Sequence, residues 1–252
     1  MSTASPFGRG YAERIPLVLV LDTSESMGHP ADAPRIAELN AALRDWIADA
    51  AADPALRERL EIAIVTFDSE VRVLRLTDAP GLASGAFALV ESVTPPQLCA
   101  SGLTRMLPAL DTAVRLATER SSELTAVNIP SRRPLVWLVT DGAPSDADGK
   151  PVPAAEVAVA AARLRDATRA TPDAPGCLCY AIGVGGADMA ILETLTPGAA
   201  MPLDDFGYRQ ILRLVSDSAS RQRAGSADDE YARTQTLAER QRRLRALQDE
   251  FG

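Results

Sequence analysis

Five residues carry the chemistry this sequence can offer. Asp22, Ser24 and Ser26 stand at alternate positions in the run Asp22-Thr23-Ser24-Glu25-Ser26, Thr104 follows Ser101-Gly102-Leu103, and Asp141 lies within Thr140-Asp141-Gly142. All five bear oxygen. A hard cation such as Mg²⁺ takes six oxygen ligands at about 2.1 Å and keeps some of its waters. Hydroxyls two positions apart, Ser24 and Ser26, can point the same way from one loop. Thr104 would add a third neutral oxygen from a second loop. Asp22 and Asp141 bring two negative charges that balance the ion. Neutral direct ligands leave the metal electrophilic, and its open position then attracts a carboxylate from outside. Mg²⁺ is the expected ion, with Mn²⁺ as a substitute.

These ligands need a scaffold that brings three distant loops together. Ile15-Pro16-Leu17-Val18-Leu19-Val20-Leu21 is a continuous aliphatic run, the mark of a strand buried on both faces. Leu60–Phe67, Pro134–Thr140 and Cys177–Gly183 read the same way, with a short strand near 199–203. Val71–Leu76 reads as a short antiparallel edge strand. Helical spacing recurs from Ile36 to Ala50, from Leu103 to Ala117 with Pro108 in the first turns, and over 154–169, 188–195 and 205–219. A further short helix is expected over 85–93, stopped by Thr94-Pro95-Pro96. Strands alternating with helices predict an α/β fold: a doubly wound, mostly parallel six-stranded sheet with helices on both faces. The Leu17 and Val136 runs should be neighbouring central strands. In such sheets ligands bind at the carboxyl ends of strands, where the strand order reverses. Asp22 and Asp141 both follow buried strands directly, so that rule points to them.

The 252 residues divide into a loose leader (1–14), one α/β domain (15–216) and a polar linker with a charged C-terminal helix (217–252). At 46% apolar the chain can bury a sizeable core. A net charge of −8 argues against nucleic acid as a partner, since that needs a clustered basic face. The longest early apolar run is far too short to span a membrane, and the first residues lack the apolar core of a signal peptide. The cytoplasm is the expected compartment. Three cysteines make no disulfide framework. Cys177 and Cys179 are expected to face opposite sides of their strand and so not to pair. With His29 as the one histidine and no Cys-x-x-Cys, zinc is not expected.

Competing readings exist for each feature. Asp22 and Ser24 could cap the following helix, and Thr104 could cap its own. Glu25 and His29 read as solvent-facing beside the loop. Asp146 and Asp148 read as a surface turn, and Gly183-Val184-Gly185-Gly186 as a strand-ending turn, because neither completes a known calcium or phosphate loop. Trp46 and Trp137 fall on core-packing positions.

The pattern Asp22-x-Ser24-x-Ser26, Thr104 and Asp141, in this order and strand context, resembles the metal-ion-dependent adhesion site of von Willebrand factor A domains. The resemblance implies that Ser24, Ser26 and Thr104 are direct or near-direct ligands. It implies that Asp22 and Asp141 act largely through water, and that a partner's Glu or Asp takes the sixth position. The runs Leu138-Val139-Thr140-Asp141-Gly142-Ala143-Pro144-Ser145-Asp146 and Ala181-Ile182-Gly183-Val184-Gly185-Gly186-Ala187-Asp188 resemble the TerY-like bacterial branch. That branch is associated with tellurite resistance and with protein kinases and phosphatases, which become candidate partners.

The function expected is a non-enzymatic, metal-dependent protein-binding module. One alternative is a metal-dependent phosphohydrolase. Ser24 stands where such an enzyme needs a second Asp, and Lys150 is the one lysine available for the phosphate. Another alternative is a scaffold acting through its C-terminal helix.

Overall fold

In the computed structural model, residues 12–77, 85–171, 176–202 and 207–221 are described. The C-terminal helix expected near 231–251 and most of the leader lie outside the described residues.

The elements run β1 (Ile15–Asp22), α1 (Arg35–Ala52), β2 (Leu60–Phe67), β3 (Val71–Val73), β4 (Ala88–Leu89), α2 (Met106–Ala126), β5 (Leu135–Thr140), α3 (Ala154–Thr168), β6 (Leu178–Gly183), α4 (Met189–Leu195), β7 (Ala200–Pro202) and α5 (Tyr208–Arg221). One sheet has the order β3-β2-β1-β5-β6-β7, with β4 also paired to β2. β1, β2, β5, β6 and β7 are parallel, while β3 and β4 run antiparallel to β2. Val18 pairs with Val136 and Leu17 with Leu135, so the two aliphatic runs are adjacent and central as expected.

Every residue of β1, β2, β5 and β6 is buried, because helices cover both faces. Alternation then sorts the side chains. Leu17, Leu19 and Leu21 pack with Leu39, Leu43 and Trp46 of α1 and with Ile211 and Leu212 of α5. Val18 and Val20 pack on the other face with Ala109, Leu110 and Ala113 of α2 and with Leu164 of α3. Each buried Leu or Val contributes about 1.5–3 kcal/mol relative to exposure, so the two layers lock the sheet between helices. On the α1 side Trp137 stacks on Tyr180 with ring centroids 4.4 Å apart, and the Trp46 indole donates to Ser216 Oγ of α5 at 2.7 Å.

Four expectations need correction. Among the described residues the sheet has seven strands, not six. The extra one is β4, which lies where a helix was expected over 85–93; only Val90–Ser92 form a single 3-10 turn. β3 covers just the upper half of β2, so the backbone of Glu61 and Ile62 still needs a partner, and Leu89 and Ala88 supply it. β3 itself stops at Val73, although Leu74 N still donates to Ile64 O at 2.9 Å. Finally, Cys177 and Cys179 face the same side. Positions two apart on an extended chain share a face, and their sulfurs lie 3.7 Å apart in the layer beneath α2 and α3 as free thiols.

Strand order reverses between β1 and β5. The crossover through α1 leads from β1 outward to β2, whereas those through α3 and α4 lead from β5 outward to β6 and β7. The crevice at this reversal opens at the carboxyl ends of β1 and β5, which are Asp22 and Thr140.

Candidate metal centre

β1 ends at Asp22, whose carboxylate folds back onto its own loop. Its Oδ1 accepts from Ser24 N at 2.8 Å, the local turn that Asp favours. Its Oδ2 accepts from Thr140 Oγ1 at 2.5 Å, so the ends of β1 and β5 are tied side chain to side chain. Asp22 is fully buried, and desolvation pushes its pKa up from 3.8 to about 6, against the opposing hydrogen bonds from Ser24 and Thr140. The negative charge of Asp141 pushes in the same direction as burial.

Beyond Asp22 the chain makes one 3-10 turn, Glu25–Gly28, anchored by the fully buried Met27. The anchor holds the Ser24 and Ser26 hydroxyls 3.0 Å apart. Ser26 Oγ also donates to Asp141 Oδ1 at 2.6 Å. Ser24 heads that turn but makes no side-chain capping bond, so its hydroxyl is not consumed as a cap.

The second loop is stitched to the first through backbone. Ser101 N donates to Thr23 O at 2.8 Å, and Glu25 N donates to Gly102 O at 3.2 Å. Gly102 has φ +71°, and a Cβ there would come within 2.5 Å of Ser69 Oγ and 3.1 Å of Ser69 N, so a side chain at this crossing would be strained and crowded. Thr104 N donates to Ser145 Oγ at 3.0 Å, and Thr104 O accepts from Ser145 N at 2.9 Å, which fixes Thr104 against the β5 loop. The Thr104 hydroxyl lies over Gly142: a Cβ at 142 would sit 3.7 Å from it. Thr104 is two residues before α2 and does not cap it.

All five expected residues therefore gather at one crevice. Sequence reading missed three others that build it. Thr140 orients Asp22, and Ser145 orients Thr104. Arg35, the first residue of α1, donates from Nη1 to Asp141 Oδ2 at 3.2 Å and to Ser26 O at 3.3 Å, and from Nη2 to Gly185 O at 2.9 Å. Thr140 and Ser145 fall inside quoted motifs, so a signal was present. Arg35 follows a featureless polar turn, and nothing in the spacing marks it. Glu25 and His29 are exposed, as expected.

The donor set fits a hard divalent cation. Among the described residues no three His, Cys, Asp or Glu side chains cluster, and the oxygens gathered at the crevice are hydroxyls with two carboxylates. Two cis ligands of an octahedral Mg²⁺, each about 2.1 Å from the ion, lie about 3.0 Å apart. The Ser24 and Ser26 oxygens are already at that separation. Two carboxylates behind them supply the balancing charge.

A family model described as von Willebrand factor type A domain matches residues 17–143, half of the chain, a span that includes all five ligand candidates. No curated protein matches the chain. Among solved structures, the fold is similar to a von Willebrand factor type A protein from Catenulispora acidiphila (TM-score 0.55, 18% identity, 82% of this chain and 43% of that one). It is similar also to the pilus adhesin SpaC from Lactobacillus rhamnosus GG (TM-score 0.55, 13% identity, 82% of this chain and 30% of that one). A third is proximal thread matrix protein 1 from the mussel byssus (TM-score 0.50, 19% identity, 84% of this chain and 46% of that one). The chain spans less than half the length of these three proteins. With the matched segment running from β1 through the β5 loop over half of its length, the chain belongs to the von Willebrand factor type A domain family.

Proposed function

We propose that this protein is a Mg²⁺-dependent binding module, not an enzyme, that captures an acidic side chain of a protein partner. The observation that carries this reading is the chain of oxygens from the Ser24 and Ser26 hydroxyls to the Asp141 carboxylate, 3.0 and 2.6 Å apart at the reversal of strand order. Ser24, Ser26 and Thr104 would hold the ion, and Asp22 and Asp141 would balance its charge, in part through water. Bound there, the ion supplies an electrophilic centre with a free position. The protein's own groups orient the ligands: Thr140 fixes Asp22, Ser145 fixes Thr104, and Arg35 fixes Asp141.

The two motif runs that resemble the TerY-like branch support a bacterial stress-response or kinase and phosphatase signalling system as the setting. A kinase or phosphatase is the partner class we infer, in the cytoplasm. The unpaired thiols Cys177 and Cys179 fit a reducing compartment. Among the described residues no helix is long and apolar enough to cross a membrane.

The test is affinity capture with the full chain, in EDTA and after adding back Mg²⁺, Mn²⁺ or Ca²⁺. The partner should be lost in EDTA, recovered with Mg²⁺ or Mn²⁺, and recovered less well with Ca²⁺, which prefers more ligands at longer distance. An EDTA-resistant complex that also tolerates Thr104→Ala would overturn the reading.

A further inference from the structure

Arg35 adds a fixed positive charge to a site that is built to receive a cation. Its guanidinium reaches three loops at once: Ser26 O after β1, Asp141 Oδ2 after β5 and Gly185 O after β6. A Cβ on Gly185 would approach Nη2 at 3.3 Å, so the fork is closely seated. The side chain keeps 27% of its surface exposed, whereas its partner Asp141 keeps 1%. The cation thus stands at the mouth of the crevice, reachable from solvent, with a buried carboxylate behind it.

Counting charge shows what this placement does. Asp22 and Asp141 contribute −2, Arg35 contributes +1, and a divalent ion brings the site to +1. One incoming carboxylate then makes it neutral. Without Arg35 the metal-loaded site would already be neutral, and the same guest would leave it at −1. From this geometry we infer that Arg35 is a specificity-determining residue that makes metal and acidic guest bind cooperatively. It disfavours the ion alone by repulsion, and it favours the ion together with a carboxylate. The guanidinium, with 27% of its side chain exposed, can pair with a second oxygen of an acidic group. The inference rests on the proposed metal site and deepens it: the partner's contact is an anionic group read jointly by a dication and a guanidinium.

The test is calorimetric, with Mg²⁺ titrated into wild type, Arg35→Met and Arg35→Lys, each with and without a saturating short acidic peptide bearing one Glu. Arg35→Met should bind Mg²⁺ alone about tenfold more tightly than wild type, as expected for removal of a nearby charge in a partly solvated site. Its Mg²⁺ affinity should gain much less from the peptide than that of wild type. Arg35→Lys retains the charge without the fork, so its Mg²⁺ affinity in the absence of peptide should lie nearer to wild type than that of Arg35→Met. Unchanged or weaker Mg²⁺ binding in Arg35→Met, or an undiminished peptide effect, overturns the inference while leaving the metal site standing. Absence of Mg²⁺ binding in wild type would instead overturn the metal site itself. Far-ultraviolet circular dichroism of the three proteins separates misfolding from either outcome.

Discussion

Ser26 Oγ donates to Asp141 Oδ1 at 2.6 Å across 115 positions of sequence. The bond exists because β1 and β5 are neighbours at the reversal of strand order, which places their trailing loops side by side. Ser26 is also the hydroxyl 3.0 Å from Ser24, so it links the two halves of the site. Ser26→Ala should weaken Mg²⁺ binding by at least about tenfold, since a direct oxygen is lost and the link to Asp141 with it. Ser26 is exposed, so thermal stability of the metal-free protein should change by less than about 0.5 kcal/mol plus the worth of one hydrogen bond. Calorimetry and thermal melts in EDTA check the two halves.

Asp22→Ala separates binding from folding. The carboxylate is fully buried and its charged form is disfavoured by desolvation, but it also satisfies Ser24 N and Thr140 Oγ1. Removing it relieves the first effect and orphans two donors, so the terms oppose each other at about 1–3 kcal/mol each. The metal-free mutant should melt within a few degrees of wild type at pH 7 (about 1 kcal/mol or less in net), and circular dichroism in EDTA checks this. A collapse of the fold would show that Asp22 is a structural residue first.

The pH dependence follows from the same carboxyl. Its folded pKa of about 6 lies above the ordinary 3.8. Protonation therefore favours the metal-free fold: the Asp22 contribution to stability is greatest below about pH 4, declines as pH rises to about 6, and is level above that. The two-unit shift corresponds to about 3 kcal/mol as an order of magnitude. Metal binding needs the carboxylate, so Mg²⁺ affinity should fall on acidification below about pH 6, approaching tenfold per unit. Titrations between pH 5 and 8, with Asp22→Asn as the control that lacks this proton, give the check.

The site was legible in the sequence because its ligands are short side chains placed immediately after strands. Asp22 ends β1 and Asp141 follows β5, so their neighbourhood follows once the two aliphatic runs are read as adjacent strands. What escaped was set by tertiary contact. Arg35 reaches Asp141 and Gly185 only because α1 begins beside the crevice, and a lone Arg after a polar turn carries no periodic mark. β4 was read as helix because its two residues pair only to fill an edge that β3 leaves open, a demand made by β2 and not by residues 85–93. Val71–Leu76 was read too long for a related reason: after Val73 the chain leaves the sheet edge with a single further bond, from Leu74. The two thiols were misplaced by a miscounted alternation, and period two puts them on one face.

At the opposite end of the sheet, Glu61 supplies an internal control. It is buried and receives Arg120 Nε and Nη2 at 2.7 Å each, with Arg14 Nε at 3.5 Å. Arg120→Ala should destabilise the domain by about 3 kcal/mol, because a buried carboxylate loses its two-pronged partner. Chemical denaturation reads the loss. Mg²⁺ affinity of the folded mutant should equal that of wild type, since the pair is anchored at the amino-terminal half of β2.

The most direct test of the central claim is calorimetric titration of Mg²⁺ into the EDTA-stripped full chain, beside Asp22→Ala under the same conditions. A site built from Asp22, Ser24, Ser26, Thr104 and Asp141 predicts one saturable Mg²⁺ per chain in wild type and none in Asp22→Ala. Wild type without a binding isotherm, or Asp22→Ala with an isotherm equal to wild type, would contradict it.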